Sequence, residues 1–226
     1  MQTQNIPDTR LRSAVPYLKK GGRVADVGTD HAYLPIYLVQ EGIVSRAIAC
    51  DINQGPIESA RRNIAAAGLA GRIETLCTDG LCGVENFAPD DVMIFGMGGE
   101  LIARILSDAP WVKDAKIGLI LQPMTRASVL RGWLLENGFD ILGESITFED
   151  KYYQTIHARY DGVVRSYDER ELLLGRLNIE ARPPLFDGFL RHEIKVLDAI
   201  IAGKSRGKNP DVAYEMNLKQ KLEELL

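Results

Sequence analysis

Cysteine is scarce: Cys50, Cys77 and Cys82 are the three in 226 residues, an odd number with no CxxC pair. A disulfide framework and a thiolate zinc site are therefore not expected, and the usage suits a reducing cytoplasm. The three histidines, His31, His157 and His192, show no metal-ligand spacing, so no metal is expected. No apolar run approaches the roughly 18 residues of a membrane helix. The opening MQTQNIPDTRLR lacks the apolar h-region of a signal peptide. Low-complexity tracts and internal repeats are missing too. Neither charge dominates: 27 Lys and Arg face 31 Asp and Glu, net −4. That balance argues against a generic nucleic-acid coat, while leaving room for RNA contact through a local patch. What remains, 46% hydrophobic and 26% charged, is the composition of a folded domain, and the length fits one domain with an appendage.

Strand and helix signals alternate through the first 163 residues. RVADVG (23–28), RAIACD (46–51), RIETLCTD (72–79), VMIFG (92–96) and IGLILQP (117–123) read as buried strands. Helical patterns fall at 10–20, bent at Pro16, and at 33–41, 56–68, 101–106 and 126–138. FDILGESITFE and YYQTIHARYD form an expected antiparallel hairpin turning at Asp150 and Lys151. Repeated β-then-α units imply a parallel sheet covered on both faces. With the hairpin they make the seven-stranded, mostly parallel sheet of a Rossmann-like α/β domain.

From residue 164 helical spacing takes over. A helix is expected near 168–181, then a helical hairpin. Leu190, Ile194, Leu197 and Ile201 form one a/d stripe, Leu218, Leu222 and Leu225 the other, with a Gly/Pro loop at 203–211. Residues 1–163 hold 16 basic and 20 acidic side chains, whereas 164–226 hold 11 of each. The expected division is thus a cofactor-binding domain, 1–163, and a charge-neutral helical domain, 164–226.

In open α/β sheets ligands bind beyond the C-terminal strand ends, so the residues just after each strand carry the information. Those are Gly28-Thr29-Asp30-His31-Ala32-Tyr33-Leu34, then Asp51-Ile52-Asn53, Asp79-Gly80, Gly96-Met97-Gly98-Gly99 and Gln122-Pro123. Asp51 stands 23 residues beyond Gly28, near the spacing of an acid that accepts both ribose hydroxyls. A dinucleotide would need a G-x-G-x-x-G loop, but only Gly28 is glycine here; Asp30 and Ala32 fill the next two alternate positions, and Asp30 would repel a pyrophosphate. S-adenosylmethionine carries no phosphate, and its sulfonium and ammonium favour carboxylates. The loop reads as a methyl-donor site. Asp79 is placed to accept from the adenine amino group, and Asp26, inside the first strand, to fix the loop by accepting backbone N–H groups. The glycines of 96–99 let the backbone approach a planar ligand. The Asn/Asp-Pro-Pro-aromatic motif of many amino-group methyltransferases is absent there.

Together these residues resemble the TrmK family of bacterial tRNA (adenine-N1)-methyltransferases, which act on position 22 of tRNA. The resemblance rests on Arg10-Leu11, DVGTDHAYLP at 26–35, Asp51, Asp79-Gly80, GMGG at 96–99, Leu121-Gln122-Pro123 and Tyr152-Tyr153. It covers nearly all of the first domain, and the tail matches in layout. It implies S-adenosylmethionine held by Asp26, Gly28, Asp30, Tyr33, Leu34, Asp51, Ile52, Asn53, Asp79, Gly80, Gly96, Met97 and Gly98. It further implies a tRNA adenine met by Arg10, Gly98, Gly99, Gln122 and Pro123, with Asp30 and His31 as the catalytic candidates, in a monomer or weak homodimer. Basic stretches for RNA are Arg10, Arg12, Lys19, Lys20 and Arg23, and Lys204, Arg206 and Lys208. The competing expectations are a methyltransferase for a small molecule or protein, an NAD-dependent oxidoreductase, and a non-catalytic RNA-binding module.

Overall fold

The structure, a computed structural model, describes residues 8–206 and 211–226. Seven strands form one sheet in the order β3-β2-β1-β4-β5-β7-β6. They are β1 Arg23–Val27, β2 Arg46–Asp51, β3 Ile73–Cys77, β4 Asp91–Gly98, β5 Gly118–Thr125, β6 Phe139–Phe148 and β7 Tyr152–Tyr160. The first five pair in parallel; β7 runs antiparallel to β5 and to β6. The cause is visible in the strands themselves. Val24, Ala25, Ala47, Ala49, Val92, Met93, Ile94, Leu119, Ile120 and Leu121 are fully buried, as a sheet covered on both faces requires.

The chain turns outward in both directions from β1, with β2 and β3 on one side and β4 and β5 on the other. The crevice beyond the ends of β1 and β4 is therefore the place where such a sheet accepts a ligand.

The covering helices are α2 Tyr33–Gln40, α3 Gln54–Ala66, α4 Gly99–Ser107 and α5 Ala127–Glu136. In α3, Ile57, Ala60 and Ile64 step by three and four and are buried. Gly68, at φ +70°, ends it in a Schellman turn, with the Leu69 N–H donating to the Ile64 carbonyl. This helix starts at Gln54, two residues before Pro56, because Asn53 is its N-cap. The helix expected over 10–20 is shorter: α1 is Thr9–Arg12, followed by a 3₁₀ turn Val15–Tyr17 that accommodates Pro16 in its first turn. On the far side of the sheet, Arg131 of α5 meets Glu144 of β6 at 2.7 Å, both side chains fully buried, and Gln154 of β7 at 2.7 Å. A buried charge is tolerated only when paired, so this contact fixes α5 against the hairpin.

Contacts divide the chain into two compact units, Met1–Ser166 and Tyr167–Leu226. The second consists of α6 Glu169–Leu174, α7 Arg176–Ala181, α8 Phe186–Ser205 and α9 Ala213–Glu223. Asp168 caps α6 in a capping box with Glu171. The single helix expected at 168–181 is broken, because Gly175 takes φ +90° between α6 and α7. Phe186, Phe189, Leu190, Ile194 and Leu197 of α8 are buried, as are Leu218 and Leu222 of α9. Ion pairs Lys204–Glu215 (2.7 Å) and Lys219–Asp198 (2.6 Å) run in opposite directions along the two helices, which makes the hairpin antiparallel. The helix extends through Lys204 into the stretch expected as loop; Lys208 lies outside the described residues.

Candidate active site

The loop after β1 is folded by backbone geometry that its sequence permits. Gly28 adopts φ +83°, open to glycine at no cost. This turns the Gly28 and Thr29 N–H groups onto the Cys50 carbonyl of β2, both at 2.9 Å. Asn63 of α3 donates its side-chain amide to the His31 carbonyl at 2.9 Å. Ala32, at φ 57°, turns the chain into α2.

Around this loop lies a cavity of about 460 Å³. Its wall is Arg10, Leu11, Asp26, Gly28, Thr29, Asp30, His31, Ala32, Tyr33, Leu34, Asp51, Phe95, Gly96 and Met97. The structure thus brings together Asp26, Gly28, Asp30, His31, Tyr33, Leu34, Asp51, Gly96, Met97 and Arg10 from the sequence-derived set.

Three carboxylates dominate the chemistry. Asp26 is buried, and no lysine or arginine pairs with it among the described residues. Burial pushes its carboxyl up to about 6; the Thr29 side chain offsets part of this and the Asp51 charge adds to it. The loop amides expected to satisfy Asp26 go to Cys50 instead, so its carboxylate is left facing the cavity. Asp51, at the end of β2, spends Oδ1 on the Asn53 N–H at 2.7 Å. Asp30 stands at the rim with its side chain 81% exposed, 3.5 Å from His31 Nε2. The His31 and Tyr33 rings lie 5.2 Å apart. Cys50 is no nucleophile: burial, then the charges of Asp26 and Asp51, push its thiol up to about 12.

The glycine run divides into two roles. β4 continues through Gly98, with a register shift between Phe95 and Met97. Gly96, at φ +80°, is exposed, and a Cβ there would meet nothing within 4 Å, so the backbone is open to a planar ligand. Gly99 is buried, and a Cβ there would sit 2.3 Å from the Arg126 carbonyl. Its glycine is demanded by the approach of α4 to the start of α5, and it offers no surface to a substrate. Gly98 is half-buried beside Thr125, outside the cavity wall.

Several expected contacts are corrected. Gln122 and Pro123 are buried, since β5 runs on to Thr125 and makes them internal strand residues. The Gln122 amide is fully engaged within the protein, with Arg10, Ser13 and Thr155. Asp79 and Gly80 line a separate cavity with Leu81, Cys82, Arg104, Ile105 and Asp108. Gly80 takes φ +57°, and a Cβ there would sit 3.2 Å from the Ile105 side chain of α4. Ile52 and Asn53 flank Asp51 but are exposed and off the cavity wall. Leu11, Thr29 and Ala32, to which the sequence assigned no ligand contact, also line the wall. Phe95, inside the run expected as a buried strand, is buried at 7% exposure and also on the wall. Of the basic stretch, Lys19 pairs with Asp90 and Arg23 lies over the Phe87 ring at 4.4 Å, leaving Arg12 and Lys20 exposed.

The cavity suits a cationic ligand with vicinal hydroxyls: a buried carboxylate without a cation, a second at a strand end, and a glycine crossing where a side chain at Gly28 would overlap Met97 at 2.4 Å. Comparison with known proteins points the same way. Residues 8–156 match the family model described as "Methyltransferase domain". The chain is 38% identical over 169 residues to the tRNA (adenine(22)-N(1))-methyltransferase of Bacillus subtilis, covering 74% of this chain and 71% of that protein. A Streptococcus pneumoniae structure, described as a putative tRNA (m1A22) methyltransferase in complex with S-adenosyl-L-methionine, is 32% identical with TM-score 0.85 over 97% of this chain and 99% of that one. The M. capricolum TrmK structure, in complex with S-adenosyl-homocysteine, is 30% identical with TM-score 0.77 over 98% and 96%.

Fold and cavity define an S-adenosylmethionine-dependent methyltransferase of the Rossmann-like class. The oxidoreductase expectation falls with that. More narrowly, the chain belongs to the TrmK family of tRNA (adenine(22)-N(1))-methyltransferases.

Proposed function

We propose that this protein methylates N1 of an adenine, at position 22, in tRNA. The observation that carries the reading is the union of family membership with a cavity whose buried and strand-end carboxylates, Asp26 and Asp51, have no cationic partner among the described residues. S-adenosylmethionine, when bound, supplies an electrophilic methyl on a sulfonium. Asp51 accepts the ribose hydroxyls, and Asp26 and Asp30 hold the negative potential that a cationic donor needs.

Neutral adenine N1 has an in-plane lone pair, so the chain needs no general base to create its nucleophile. Its task is positioning. Asp30, at the rim, accepts from the adenine N6 amino group and stabilises the positive charge that grows on the base. His31, held beside Asp30 and Tyr33, orients the base. The open backbone at Gly96 leaves room for a ring taken out of its stack. Exposed Arg12 and Lys20 grip phosphates, and exposed Arg206 of the helical unit does so separately, which makes affinity fall with salt. The protein works in the cytoplasm, where tRNA is modified, as a monomer or weak dimer.

The test is incubation of unmodified tRNA with S-adenosylmethionine and nucleoside analysis of the product. N1-methyladenosine is expected, and its absence despite cofactor binding would refute the reading. Asp30→Ala is expected to lose most turnover while still binding S-adenosylhomocysteine; near-normal turnover removes Asp30 from the chemistry.

A further inference from the structure

Among the described residues the cavity wall holds three carboxylates, Asp26, Asp30 and Asp51, and one permanent cation, Arg10. A ligand that was purely cationic would have no use for that arginine. The methionine end of the methyl donor is a zwitterion, however, and its carboxylate would be repelled by three aspartates unless a cation were fixed beside them.

Arg10 is fixed to an unusual degree for a residue on a four-residue helix. Its side chain is only 20% exposed. Gln122, itself fully buried, grips it twice: Oε1 accepts from Arg10 Nη1 at 3.1 Å, and Nε2 donates to the Arg10 carbonyl at 3.1 Å. The same Nε2 lies 3.2 Å from Ser13 Oγ and 3.0 Å from Thr155 Oγ1, so the arm carrying Arg10 is pinned to β5 and β7. The Tyr153 ring lies 5.4 Å from the guanidinium carbon. Nη1 donates to Gln122 and Nε lies 3.7 Å from Asp8 Oδ2, which leaves the Nη2 edge of the guanidinium for a ligand.

We infer that Gln122 is a positioning residue that locks Arg10 at the cavity wall, where the guanidinium takes the carboxylate of the methyl donor's amino-acid end. This rests on the cofactor of the proposed reaction and adds to it an anchor for a group that the carboxylate set alone would reject. The cost of ordering a flexible arginine is met before the ligand arrives, which is what a buried amide contacting both its backbone and its head accomplishes.

The test compares two ligands by calorimetry: S-adenosylhomocysteine, which has the amino-acid end, and 5′-methylthioadenosine, which lacks it. Arg10→Ala is expected to weaken S-adenosylhomocysteine by about 10–100-fold, the worth of a charge-assisted contact, with 5′-methylthioadenosine unchanged. Gln122→Leu should give a smaller loss of the same selective kind, and the double variant should be no weaker than Arg10→Ala, since both remove one interaction. Gln122→Glu, which keeps an acceptor for Arg10 but loses the amide donor, should fall between Gln122→Leu and the unaltered protein. Retained 5′-methylthioadenosine binding reports that each variant is folded. Equal losses on both ligands, additive losses in the double variant, or unchanged S-adenosylhomocysteine affinity would overturn the inference. So would an Arg10→Ala variant that loses only tRNA affinity. Failure of the unaltered protein to bind S-adenosylhomocysteine would instead strike the proposed function itself.

Discussion

The carboxylates of the cavity and those of the α8–α9 hairpin are treated in opposite ways by the same chain. In the hairpin Asp198 meets Lys219, Glu215 meets Lys204, and Glu169 at the head of α6 meets Lys221 at 2.9 Å. Among the described residues, Asp26 and Asp51 in the cavity meet no lysine or arginine, and Asp30 meets His31. Paired charges hold helices in register and are satisfied without a ligand. Unpaired ones leave a negative potential that a cation from outside relieves. The difference teaches where to look for function in this fold: at the acids that the protein declines to neutralise.

That contrast can be broken by exchanging the two behaviours. The largest effect is expected at the most completely paired site. Glu144→Ala strands the buried Arg131 guanidinium, and should cost about 3–5 kcal/mol of stability, read by urea unfolding, with no selective loss of cofactor affinity. Asp51→Ala should do the reverse, lowering S-adenosylhomocysteine affinity by about 100-fold in calorimetry while leaving the melting temperature of the free protein nearly unchanged.

Asp26 sharpens the comparison further, because its lack of a partner costs stability. Its folded carboxyl titrates near 6 against an ordinary value of 3.8, so between those values the folded state binds more protons than the unfolded one. Its contribution is therefore present below about pH 4 and is lost as pH rises through 6. Asp26→Asn should raise the free protein's melting temperature at pH 7 to 8, by up to about 3 kcal/mol in stability, and weaken S-adenosylhomocysteine. In the unaltered protein, affinity for that ligand should climb as pH passes 6. The smallest effect is expected in the hairpin: Lys219→Ala removes an exposed ion pair and should leave melting temperature and cofactor affinity without resolvable change.

Much of this was legible in the sequence for a physical reason. Short apolar runs that close in glycine or aspartate, as at Val27-Gly28 and Cys50-Asp51, report buried parallel strands and the turns at their ligand-facing ends. The Gly28-to-Asp51 spacing then finds two walls of the cavity, and both line it. The same rule fails at Gln122 and Pro123, because it assumes that β5 stops where the apolar run stops. The strand continues to Thr125, and the residues read as facing the ligand are inside the sheet.

Gly99 fails differently. Sequence shows that a glycine stands there but not whether a ligand or another backbone requires it, and here it is the Arg126 carbonyl. Asp26 was read as a loop clamp because a buried carboxylate should be paired; it is an exception, and exceptions of that kind mark sites. The contact between Ser13 and Thr155, at 2.6 Å across 142 residues, has no local signature at all. Nor has the break at Gly175, where a helical pattern continues on both sides of a residue whose φ alone decides.

On the function proposed above, the unpaired acids of the cavity serve methyl transfer to one RNA base. The most direct measurement is to methylate a tRNA transcript in vitro, map the modified nucleotide by primer extension, and repeat with a transcript in which adenine 22 is replaced by guanine. A single S-adenosylmethionine-dependent stop at adenine 22, identified as N1-methyladenosine, is expected, with no incorporation into the replaced transcript. Equal incorporation into both transcripts, or none into either by protein that binds S-adenosylhomocysteine, would contradict that function.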